Sequence, residues 1–79
     1  MIVKYIAGAV ARAEYEHLED GFVCATVRGL RGVIAIGRSE RDARAQLSEV
    51  VEEWILVRVA RGLDVPKLGG ISVRVRRTG

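Results

Sequence analysis

Hydrophobic and polar residues alternate most cleanly near the end of the chain. Ile71, Val73 and Val75 fall on one side and Ser72, Arg74 and Arg76 on the other, which predicts a strand with one buried and one exposed face over Ile71 to Arg77. A more dilute two-residue period runs from Ile2 to Tyr15, where Val3, Tyr5, Ala7, Ala9, Ala11 and Ala13 share a side. It predicts one long first strand. Alanine favours helix, but Gly8 within the run and the lack of a preceding cap weigh against one. Glu16 to Gly21 is a turn built on Asp20-Gly21, Phe22 to Arg28 a second strand, and Val33 to Ile36 a short third strand closed by Gly37. Gly29 and Gly32 break the chain between them, where the backbone is expected to adopt shapes a side chain would obstruct.

The period then changes. Ser39 suits an N-cap, Asp42 lies three residues on, and Glu40 and Asp42 suit the positive end of a helix. Ala43, Leu47, Val50, Val51, Trp54 and Val57 recur at threes and fours, predicting a core-facing helix from Ser39 to Arg61 with Gly62 as its stop. Trp54 is expected to be substantially buried in that core. Leu63 to Gly70, with Pro66 and Gly69-Gly70, is a loop. The expected class is α+β in the order β-β-β-α-β, with a mixed sheet whose last strand returns through a right-handed crossover.

The second half of the helix carries more apolar surface than one sheet absorbs. Ile55, Leu56 and Val59 lie partly outside the core-facing arc and are the expected partner or oligomer interface. The length of 79 residues fits a single domain over 1–79, with a core small enough that a homo-oligomer, most simply a dimer, is expected.

Composition adds limits. Apolar residues make up 49% of the chain, which excludes disorder, while no charge-free run is long enough to span a membrane. The start has no leader-like apolar stretch, and a single cysteine allows no internal disulfide, so a cytoplasmic protein is expected. The net charge of +3 resides in the second half, and no acid follows Asp64. Arg74, Arg76 and Arg77 could therefore touch nucleic acid or an acidic partner, or simply guard a solvated edge strand.

No reaction chemistry is visible. Glu14, Glu16, His17, Glu19 and Asp20 crowd one strand end, where exposed turns collect such residues for solubility. Cys24 sits among apolar neighbours like a small core hydrophobe, and no basic partner is apparent. One cysteine and one histidine are too few for a zinc site, and the glycines match neither phosphate-loop pattern. The chain is expected not to be an enzyme and to have no catalytic, metal or cofactor residues.

The order Asp20-Gly21-Phe22, then Leu30-x-Gly32-Val33, then Gly37-x-Ser39 with Ala43 and Leu47 resembles the HicB-like antitoxin family. The resemblance implies a degenerate RNase H-like fold and a non-catalytic protein-binding module, either an antitoxin that neutralises a HicA-type mRNA interferase or an orphan relative of one. The chain departs from the family's loop at Arg28 and Arg31, where prolines are usual, and at Val33, where a cysteine is usual. With Gly79 as the last residue, no operator-binding domain is expected. The alternative is a small basic RNA- or DNA-binding protein that uses the arginine strand.

Overall fold

In the computed structural model, residues 2–68 are described. Their elements run α1 (Ile2–Ala11), β1 (Ala13–His17), β2 (Val23–Val27), β3 (Ile34–Gly37) and α2 (Glu40–Ala60). The expected last strand, with Arg74, Arg76 and Arg77, lies outside the described residues. Within them the protein is an α+β domain: a three-stranded antiparallel sheet in the order β1-β2-β3, with two helices.

The first segment corrects the expectation of one long strand: it is a helix followed by a short strand. Tyr5, Gly8 and Ala9 are buried at helical spacing, and this helix packs on α2. The alanines that make a two-residue period plausible are equally compatible with a helix, and burial of Tyr5 and Ala9 decides in its favour. Gly8 lies on that same buried side. At the helix end the Arg12 amide donates to the carbonyls of Gly8 and Ala9, and its guanidinium donates to Gly8 O at 3.1 Å.

The three strands pair in simple register. Tyr15 lies opposite Ala25, which lies opposite Ala35, and His17 lies opposite Val23, which lies opposite Gly37. Val23, Ala25, Val27 and Ala35 point into the core. Between β2 and β3 the chain makes two successive turns, with the Leu30 amide on Val27 O and the Val33 amide on Leu30 O. Gly29 and Gly32 hold φ of +91° and +82° at the third position of each turn, where a side chain would be strained.

Helix α2 starts as its sequence predicts. Ser39 Oγ accepts from the Asp42 amide at 3.0 Å, and the Asp42 carboxylate accepts from the Arg38 amide at 3.0 Å. It ends in a Schellman motif: the Leu63 amide donates to Arg58 O, the Gly62 amide to Val59 O, and Gly62 has φ +69°. Its fully buried residues are Ala43, Leu47, Val51 and Ile55, all at spacing four. The core-facing arc is therefore rotated from the expected one. Ile55 belongs to the core, Val57 is exposed, and Trp54 is only partly buried at the rim.

Candidate interaction surfaces

Strand alternation buries one face of the sheet, and among the described residues the other face is left exposed. Two cross-strand rows make up this face: Glu14, Thr26 and Ile34 in one, Glu16, Cys24 and Ile36 in the next. Ile34 is 55% exposed and Ile36 is 54% exposed, while both glutamates are exposed and Cys24 and Thr26 are intermediate. The face is thus apolar along β3 and acidic along β1. Among the described residues nothing pairs with the outer edge of β3. Gly32 and Gly37 mark in the sequence where β3 begins and ends, but nothing local marks which of its two sides is covered.

The acidic cluster expected at the strand end is partly organised. His17 Nε2 lies 3.0 Å from Glu40 Oε2, joining β1 to the first turn of α2 at an exposed position. Among the described residues no group of three or more His, Cys, Asp or Glu side chains could hold a metal ion. The hairpin tip is closed by the Leu18 amide on Phe22 O, with Asp20 Oδ1 accepting from the Phe22 amide.

A groove of about 810 Å³ runs between α1 and the first half of α2. Val3, Ile6 and Val10 form an apolar wall; Arg41, Arg44, Ala45 and Ser48 form the other. Arg44 Nε donates to the Tyr15 hydroxyl at 3.0 Å, and its guanidinium carbon stands 5.7 Å from the Tyr15 ring centre.

A second groove flanks the end of α2. Leu56 and Val57 are about half exposed and line it with Trp54, Arg58 and Leu63. Arg58 stands 4.9 Å from the centre of the Trp54 ring and donates from Nε to Asp64 O, while Trp54 Nε1 donates to Arg31 O at 3.2 Å. Of the expected interface residues, Leu56 is on this surface, Val59 is partly buried against the core, and Ile55 has no surface to offer. Val57 and Leu63 join it unexpectedly, because the buried arc is rotated from the one that the apolar spacing suggests.

Arg12, Arg28 and Lys67 line a third, smaller groove with Glu14. Tyr5 closes the far side of the core: its hydroxyl donates to the Pro66 carbonyl. Burial pushes its phenol above the ordinary tyrosine value, with Arg58 pulling the other way.

With this geometry in place, comparison with known proteins defines the family. The UPF0150-like family model matches residues 4–66, and the chain belongs to that family. This corrects the assignment drawn from the loop motifs: the matching model is the UPF0150-like one, not a HicB-like one, so the HicB-like antitoxin label does not stand. The chain is also similar to the crystal structure of TTHA0281 from Thermus thermophilus, with 31% identity over 96% of this chain and 95% of that chain, and a TM-score of 0.88. No curated protein sequence matches the chain. No helix among the described residues is long and apolar enough to cross a membrane.

Proposed function

We propose that this chain is a non-catalytic protein-binding module that receives its partner on the open face of the sheet. The observation that carries the reading is the pair Ile34 and Ile36, half exposed in adjacent rows that end on Glu14 and Glu16. Covering each isoleucine contributes about 1 kcal/mol, roughly half the value for full burial of such a side chain. The carboxylates on β1 select a partner whose contact surface is basic, since like charges there are repelled. The first purified protein to titrate is a HicA-type mRNA interferase, an RNA-binding protein of a class that is often basic, which is the charge that the β1 carboxylates favour.

The test compares the wild-type chain with the Ile34→Asp/Ile36→Asp variant, both checked for folding by circular dichroism. Calorimetric titration is expected to show binding by the wild type and at least a tenfold loss in the variant. Equal affinity for both proteins would move the partner to another surface.

A second reading rests on Arg12, Arg28 and Lys67 lining one groove. It makes the protein a nucleic-acid binder, and it predicts oligonucleotide affinity that falls steeply with salt as counterions are released.

A further inference from the structure

We propose that the groove between α1 and α2 is filled by the α2 helix of a second copy, in a two-fold dimer whose axis passes beside Ser48. This surface is separate from the sheet face and does not depend on how that face is used.

The groove is apolar along α1, where Val3 is 77% exposed, and basic along α2, where Arg41 and Arg44 line it without an acid. The acids are on the same helix, further along. Glu49, Glu52 and Glu53 are exposed, and none forms an ion pair among the described residues. Between the two charge groups α2 presents Ala45 and Ser48 to the groove. Small side chains at that point let two helix backbones approach closely.

Position along the helix makes this surface self-complementary. Arg44 and Glu52 each lie four residues from Ser48, on opposite sides, or about 6 Å along the axis at 1.5 Å per residue. An antiparallel copy related by a two-fold axis at Ser48 therefore brings Arg44 level with Glu52 of the other copy, and the symmetric pair forms at the same time. Arg41 falls one turn beyond, near the level of the half-exposed Leu56 of the other copy, so the apolar C-terminal part of that helix extends the contact. A parallel arrangement would instead stack Arg44 on Arg44. The occupant that the charges select is thus an antiparallel copy of the same helix.

Two experiments test the proposal. In sedimentation equilibrium at micromolar protein, the wild type is expected at twice its 8.7 kDa mass. Glu52→Arg should shift it to the monomer mass, and adding Arg44→Glu should restore the dimer. A wild-type mass of 8.7 kDa throughout the micromolar range overturns the proposal, as does a dimer that Glu52→Arg leaves intact. Because Arg44 also holds Tyr15, a misfolded double variant is replaced by Ser48→Cys in a Cys24→Ser background. Oxidation by dissolved oxygen with copper phenanthroline should then link most of the chain into a covalent dimer, and failure to link counts against the axis. Ile34→Asp/Ile36→Asp should leave the dimer mass unchanged, so the failure of one surface is distinguishable from the failure of the other.

Discussion

Gly37, the last residue of β3, lies directly against the backbone of Ala43 in the first turns of α2. A Cβ added at Gly37 would press on the Ala43 nitrogen and come within 2.8 Å of the Asp42 carbonyl carbon. Both obstacles are backbone atoms, so neither can turn aside as a flexible side chain would. This contact fixes how closely the helix sits on the strand that carries Ile34 and Ile36. Gly37→Ala is expected to lower stability by about 1–3 kcal/mol, as overpacking does. Urea unfolding would measure it, and a midpoint equal to the parent's would show that helix and strand can separate freely.

The N-cap is expected to act independently of that contact. Ser39→Ala removes the acceptor for the Asp42 amide while the Asp42 bond to the Arg38 amide can remain. The expected cost is about 1 kcal/mol, the usual value for losing a serine cap. Thermal unfolding followed by circular dichroism would report it.

Rotation of the α2 arc predicts a contrast between two nearby residues. Ile55 is fully buried, and Ile55→Ala is expected to cost about 2–5 kcal/mol. Val57 is 51% exposed, and Val57→Ala should change stability by no more than about 0.5 kcal/mol. Denaturant unfolding of the two variants side by side checks this. Similar losses would return Val57 to the core.

Tyr5 gives the pH dependence. Its folded pKa is raised by burial, with Arg58 opposing, so the stability it contributes is fully present below the unfolded tyrosine value of about 10. That contribution is lost as pH rises through the higher folded value. Tyr5→Phe should therefore flatten the alkaline limb of the stability profile. At neutral pH it should cost about 1 kcal/mol for the lost bond to the Pro66 carbonyl. Unfolding free energies from neutral to strongly alkaline pH would show both effects.

Much of the fold is legible in local chemistry. Ser39, Gly62 and the paired glycines at 29 and 32 each have a conformational reason that needs no distant partner, and α2 begins and ends where they place it. Residues 2–11 are not legible in this way. Their alanines carry little preference between the two faces of a strand, and the packing on α2 that selects the helix is distant in sequence. The interaction surfaces are legible only in part. Leu56 is visible as surplus apolar surface. The exposure of Ile34 and Ile36 is not, because a four-residue strand between glycines does not reveal which face its neighbours cover.

The most direct measurement of the central claim is paired capture from native extract, with wild-type and Ile34→Asp/Ile36→Asp proteins as baits and quantitative mass spectrometry as the readout. A basic protein is expected to be retained by the wild type, depleted at least tenfold on the folded variant, and bound by the wild type again when purified. Identical sets of retained proteins on the two baits would contradict that claim.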